Sequence, residues 1–67
     1  MKPAEMRAGQ QVATRSKIVS QHANLPPGTI LTVIGPSPNP EPGLSWFEMR
    51  TADGLIIELK ADQVNPV

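Results

Sequence analysis

TILTVIG at Thr29–Gly35 and SWFEMRT at Ser45–Thr51 decide the fold of this chain. Within the first stretch, Ile30-Leu31-Thr32-Val33-Ile34 is rich in β-branched residues and lacks helix caps, which predicts a strand. In the second, Phe47 and Met49 alternate with polar or charged residues, which predicts a strand with one buried and one solvated face. LIIEL at Leu55–Leu59 alternates in the same way. The three runs predict antiparallel β-structure.

Turn residues separate these strands. Leu25-Pro26-Pro27-Gly28 predicts a type II turn with Gly28 at positive φ, and Asp53-Gly54 predicts a tight hairpin. The first two runs are joined by PSPNPEPGL, in which positions 36, 38, 40 and 42 are proline. Alternating prolines favour an extended, stiff connector. The alternative is a recognition element presented to an aromatic groove of a partner.

The rest of the chain adds shorter elements. Val12 is the expected core residue of a predicted strand at Gln11–Thr14. Ser16–Asn24 is predicted to be a long loop or an irregular segment, anchored in the core by Ile18 and Val19. Lys60–Gln63 is too short for an α-helix and predicts one 3₁₀ turn. Val64 follows as a last short strand. Residues 1–8 are predicted to be a flexible tail.

Composition excludes several classes of protein. A chain of 67 residues forms one domain, and the absence of cysteine excludes disulfides and thiolate metal sites. With His22 as the one histidine, a conventional zinc site is excluded, and no cofactor or metal is predicted. The net charge of zero disfavours nucleic-acid binding. Without a membrane-length apolar run or a signal sequence, the expected location is cytoplasmic, away from the membrane.

The sequence predicts no catalytic centre. His22 lies in a polar stretch and is expected on the surface. Glu48 and Glu58 are expected to face each other across the hairpin, where ion pairs with Arg50 and Lys60 are a simpler outcome than a carboxylate dyad. We therefore expect a protein that is not an enzyme.

Trp46 is the candidate anchor of an interaction site. Tryptophan is enriched at the centres of protein interfaces, and here it follows the proline-rich loop. The alternative is a structural lid packed on Pro40 or Pro42.

Outward isoleucines suggest where a partner binds. Alternation places Ile30, Ile34 and Ile56 on outer faces of the predicted strands. An exposed apolar patch of this kind indicates self-association, such as a homodimer, or a protein partner. We therefore predict a non-enzymatic protein-interaction or accessory module that uses this face together with Trp46.

The alternative function is weak nucleic-acid binding. Arg7, Arg15 and Lys17 make the N-terminal half basic, and Trp46 supplies one stacking platform.

Several stretches resemble bacterial SH3 domains. LPPGTILTVIG is similar to their Leu-x-x-Gly-Thr-x-hydrophobic-x-Val segment, and Trp46-Phe47-x-Met49-Arg50 before Asp-Gly is similar to their Trp-Tyr-x-Val-Arg hairpin. Gly9–Val12 and the ending LKADQVNPV resemble short bacterial barrel proteins of unknown function. The resemblance implies a small five-stranded SH3-like barrel over residues 9–67, with a proline-rich loop and a 3₁₀ turn before the last strand.

Two segments of bacterial SH3 domains are missing. The chain lacks their Asn-Val-Arg opening and their Gly-Trp-Val strand, so their binding of cell-wall peptides is not implied. Leu55-Ile56-Ile57-Glu58 also departs from the Val-Gln-Ile-Tyr strand of the plasmid-type dihydrofolate reductase, an enzyme on a barrel of this size.

Overall fold

The computed structural model describes residues 1–19, 24–38 and 46–67. Seven strands lie in these ranges: β1 Gln11–Thr14, β2 Ile18–Val19, β3 Asn24–Leu25, β4 Ile30–Pro36, β5 Trp46–Arg50, β6 Ile56–Lys60 and β7 Val64–Pro66. Two 3₁₀ turns cover Pro3–Glu5 and Ala61–Gln63. The described part contains no α-helix, so the all-β prediction is confirmed.

The strands form two antiparallel sheets. The larger sheet has five strands in the order β6-β5-β4-β1-β7, and these are the five strands that the sequence predicts. The smaller sheet is the hairpin β2–β3. Within the described residues, the large sheet ends at β6 and β7 and does not close into a barrel. The second 3₁₀ turn leads from one edge strand to the other, as predicted.

The β2–β3 hairpin corrects the loop predicted at Ser16–Asn24. Ile18 pairs with Leu25 and Val19 with Asn24, so the described part of this segment forms a pair of two-residue strands. Ile18 is buried, but Val19 is 70% exposed, so only the first of the two predicted anchors reaches the core. A two-residue strand is too short to show alternation in the sequence.

One face of the large sheet builds the core. Its buried apolar residues are Val12, Ile18, Leu31, Val33, Phe47, Met49, Ile57, Leu59, Ala61 and Val64. The predicted inward positions on β4, β5 and β6 all belong to this set, apart from half-buried Leu55, which packs against it. Alternation therefore assigned the buried face of each long strand correctly.

A β-bulge interrupts β4 at Ile34. Val33 lies opposite Met49, whereas Gly35 lies opposite Glu48, so Ile34 is the extra residue. It is half-buried. Bulges bend a strand and re-aim the side chains beyond them. Of the proline-rich loop only residues 36–38 are described, so its predicted stiffness stays a prediction.

Thr14, a buried threonine on β1, stabilises the turn before β4 by hydrogen bonds. Pro26–Thr29 forms the predicted turn, with Gly28 at φ +83°. The Thr14 hydroxyl donates to the Pro26 carbonyl at 2.9 Å and accepts the Thr29 N–H at 3.0 Å. The Gly28 N–H donates to the Thr14 carbonyl at 2.8 Å. One side chain on β1 thus fixes the start of β4.

Residues 51–55 connect β5 to β6 in a tight hairpin. Gly54, at φ +90°, donates its N–H to the Thr51 carbonyl at 3.0 Å, and the Thr51 N–H donates to the Leu55 carbonyl at 2.8 Å. The Thr51 hydroxyl donates to Asp53 Oδ1 and accepts the Leu55 N–H at 3.0 Å. The hydroxyl, followed by the Asp53 backbone N–H, holds the pKa of the Asp53 carboxyl below its usual value. The predicted turn residues are therefore in place.

Two methionines in residues 1–8 contact the core. Met1 and Met6 are half-buried and pack against it, and the Met1 ammonium donates to the Val64 carbonyl at 3.1 Å. The Lys2 N–H donates to Glu5 Oε1 at 2.9 Å across the first 3₁₀ turn. The flexibility of residues 1–8 and the domain boundary at residue 9 stay predictions.

Candidate interaction site at Trp46

An open groove lies where β2, β5, β6 and the second 3₁₀ turn meet. Its volume is about 460 Å³. The lining residues are Lys17, Ile18, Val19, Trp46, Glu58, Leu59 and Gln63. The volume is in the range of small-molecule sites. We call it the Trp46 groove.

Two distant parts of the sequence form the walls of the Trp46 groove. One part supplies Lys17, Ile18 and Val19, and the other supplies Glu58, Leu59 and Gln63. In the first part Val19 is 70% exposed and Ile18 is buried. In the second part Leu59 is buried and apolar, whereas Glu58 is exposed and charged. Sequence reasoning identified Trp46 and Lys17 but not Gln63 or Glu58 as members of one site, because no local pattern links residues some forty positions apart.

Trp46 is half-buried at the start of β5. It lies directly opposite Lys60 in the β5–β6 ladder, and the Lys60 ammonium is 5.4 Å from the centroid of its ring. A cation at this distance is attracted to the ring face, by about 0.5–1 kcal/mol at an exposed site. This contact holds the indole beside the groove. Pro40 and Pro42, the predicted partners of a tryptophan lid, lie outside the described residues.

Two glutamates lie side by side on the outer face. Glu48 and Glu58 are directly opposite in the β5–β6 ladder, as predicted. The Ser37 hydroxyl donates to Glu58 Oε2 at 2.7 Å. Of the cations expected to pair with them, Lys60 instead lies over Trp46. Opposed like charges weaken a sheet. This acidic pair therefore favours a cation next to β6.

The three outward isoleucines lie at separate positions. Ile56 is 53% exposed on β6 and Ile30 is 44% exposed on β4. Arg50 on β5 lies between these strands, opposite both Ile56 and Thr32. Ile34 is half-buried in the bulge. The predicted isoleucine face is thus divided by β5, because β4, β5 and β6 pair in the order in which they follow one another in the chain.

The basic residues are also divided. Arg7 precedes β1 and Arg15 follows it, so a strand about 10 Å long separates them. Arg15 donates from Nη1 to the Asp62 carbonyl at 3.0 Å, which directs it to the second 3₁₀ turn. Lys17 alone lines the Trp46 groove. Nucleic-acid contact by these residues stays a prediction.

The remaining site predictions concern His22, metal binding and the membrane. His22 lies outside the described residues. No group of three or more His, Cys, Asp or Glu side chains able to hold a metal ion occurs in residues 1–19, 24–38 and 46–67. No helix in the described ranges is long and apolar enough to cross a membrane.

Compared with known proteins, the chain has no significant match to a protein-family model, a curated protein or a solved structure. The interpretation of the site therefore rests on its geometry and chemistry.

Proposed function

We propose that this chain is a non-enzymatic protein-interaction or accessory module whose binding surface is the Trp46 groove. The observation that carries the proposal is a half-buried tryptophan that lines an open groove together with an exposed valine, Val19. Aromatic residues with one accessible side are the usual anchors of protein interfaces. The groove also offers Lys17 and Gln63 for polar contacts at its rim.

We further propose that the fold is SH3-like. The strand order, the β2–β3 hairpin before the turn at Gly28, and the 3₁₀ turn between β6 and β7 support this assignment. The sequence resemblance at Thr29–Gly35 and Trp46–Arg50 agrees with it. In such an arrangement the groove lies between the hairpin and the large sheet.

A photo-crosslinking experiment tests the surface. A benzophenone amino acid is placed at Val19, on the groove, or at Ile30, exposed on β4, and each protein is irradiated in an extract of the native host. The proposal expects an adduct from the Val19 position that the Ile30 position does not form. Light scattering on the purified protein shows whether the partner is a second copy.

The captured protein is then purified and titrated directly. Trp46→Ala should weaken binding about 30-fold, the effect of losing a hot-spot residue of about 2 kcal/mol. Ile30→Ala is the matched control and should change the dissociation constant less than about twofold, since scattered surface residues contribute little. Equal adducts from both positions, or unchanged binding by Trp46→Ala, would refute the proposal.

A further inference from the structure

The free edge of β6 lies beside the Trp46 groove. In the sheet, β6 pairs with β5 and with no other described strand. Glu58 and Leu59 of β6 line the groove, and Ile18 and Val19 of β2 face them from the other wall. β2 in turn pairs only with β3 among the described residues. Two strands that each lack a second neighbour therefore border the same groove.

The hydrogen-bond pattern shows which backbone groups point out from this edge. In an antiparallel ladder, opposite residues alternate between pairs that bond each other and pairs that do not. The Thr51 N–H donates to the Leu55 carbonyl and the Thr51 carbonyl accepts from the Gly54 N–H, so both backbone groups of Thr51 point across the hairpin toward β6. Ile57 and Leu59 therefore direct their backbone groups toward β5. By the same alternation, Ile56, Glu58 and Lys60 direct theirs away from the sheet.

Two contacts agree with this assignment. The Ser37 N–H donates to the Trp46 carbonyl at 2.9 Å, so Trp46 directs its backbone toward β4 and not toward Lys60. The Lys60 N–H is bonded at 2.9 Å by Gln63 Oε1, a side chain beyond the end of the sheet edge. Gln63 thus closes one end of the edge. The N–H and C=O groups of Ile56 and Glu58 have no hydrogen-bond partner in the described part of the chain.

From this geometry we infer that the partner binds by adding an extended strand to β6, bonded to the backbones of Ile56 and Glu58. The inference rests on the proposed protein-interaction function and names its binding mode. An extended polypeptide backbone supplies donors and acceptors at the spacing of these four groups, about 6.6 Å from Ile56 to Glu58.

The side chains of the edge specify the chemistry of the partner. Ile56 and Glu58 share the outer face of the strand, and Ile56 is 53% exposed. A residue opposite Ile56 is apolar, since it would cover this side chain. A residue opposite Glu58 is basic, because it would lie next to the Glu48–Glu58 acidic pair. The partner segment therefore has a lysine or arginine two positions from a valine or isoleucine.

A second copy of β6 does not fit this description. A two-fold antiparallel pairing centred on Glu58 places that residue opposite itself in the second copy. A shift by two residues in one direction places Glu58 opposite Ile56. A shift by two residues in the other direction places Glu58 opposite Lys60, but the Lys60 N–H already donates to Gln63 Oε1, so this register loses one backbone bond from each copy. Charged residues on edge strands are a common protection against self-pairing. The edge of β6 therefore favours a partner segment whose sequence differs from that of β6.

Nuclear magnetic resonance with synthetic peptides tests the inference. The first probe is acetyl-Thr-Thr-Lys-Thr-Val-Thr-Thr-amide, and the second has glutamate in place of lysine. Titration of the labelled protein with the lysine peptide should shift the amides of Ile56 and Glu58 and slow their hydrogen exchange. The lysine peptide should bind at least tenfold more tightly than the glutamate peptide. N-methylation of the lysine and valine residues should abolish binding, since it removes the donors to the edge carbonyls.

Variants of Glu58 provide the matched controls. Glu58→Gln should remove the preference between the two peptides, and Glu58→Lys should reverse it, while both variants keep the exchange protection at Ile56. Equal affinity for both peptides, or unshifted Ile56 and Glu58 amides at millimolar peptide, would overturn the inference. Protection of these amides in the protein alone, with a dimer by light scattering, would also overturn it in favour of a second copy.

The indole signal of Trp46 separates this inference from the proposed function. A shift of the indole without a change at the Ile56 and Glu58 amides would mean that the groove binds a segment without strand addition, which overturns the inference and leaves the groove in place. The opposite result is that the peptide shifts the Ile56 and Glu58 amides but the Val19 position forms no crosslinked adduct. This result would support strand addition and refute the Trp46 groove as the main binding surface.

Discussion

Replacement of Thr14 by valine tests how the turn before β4 is held. Thr14 is 3% exposed, and its hydroxyl makes two hydrogen bonds, to the Pro26 carbonyl at 2.9 Å and from the Thr29 N–H at 3.0 Å. Valine has nearly the same shape but makes neither bond. The Pro26 carbonyl keeps a bond from the Thr29 hydroxyl at 2.6 Å, whereas the Thr29 N–H keeps only a longer contact of 3.3 Å to Pro26.

The expected cost follows from these contacts. Two hydrogen bonds of about 1 kcal/mol each are lost, and the added buried methyl group offsets part of this loss by about 0.8 kcal/mol. Thr14→Val should therefore lower the free energy of unfolding by about 1–2 kcal/mol. Domains have roughly 0.05–0.15 kcal/mol of stability per residue, or about 3–10 kcal/mol for a chain of this size. The change would remove a large fraction of the total.

Urea denaturation followed by Trp46 fluorescence measures the effect. The urea concentration at the midpoint of unfolding should fall. The slope of the free energy of unfolding against urea concentration should not change, since the surface exposed on unfolding is unchanged. Thr29→Val is the matched control: it removes one hydroxyl bond to the same carbonyl at an exposed site and should cost less than half as much. If Thr14→Val is as stable as the original protein, or Thr29→Val costs more, the buried hydroxyl does not hold the turn.

Two further predictions concern the turns. Gly28→Ala should lower the free energy of unfolding by about 1 kcal/mol, because alanine is strained at φ +83° although nothing lies within 4 Å of its added carbon; an unchanged urea midpoint would contradict this reasoning. The pKa of Asp53 is lowered in the folded protein, so its carboxylate stabilises the fold at pH values above the usual aspartate pKa of about 3.9. This contribution is lost as the pH falls through the lower pKa that the carboxyl has in the folded protein. Asp53→Asn should therefore reduce the loss of stability between pH 5 and pH 2.5, measured by urea midpoints; parallel pH profiles for the two proteins would show that this carboxyl plays no part.

The candidate site was only partly predictable. Trp46 stands out from composition and position, and Lys17 was singled out for its charge. Their meeting in one groove with Val19 and Gln63 depends on where the β2–β3 hairpin lies against β6. Residues that are distant in the chain and follow no repeating pattern leave no sign of such proximity in the sequence.

The sequence by itself determined the long strands, their buried faces and their turns. Alternation of apolar and polar residues, and glycine at Gly28 and Gly54, are local properties that need no knowledge of the rest of the chain. Tertiary structure alone decided that β1 and β7 extend the sheet beyond β4, and that no other described strand pairs with the edge of β6 beside Trp46. Both depend on strand order and ladder register, which are set by contacts between distant segments and not by any segment alone.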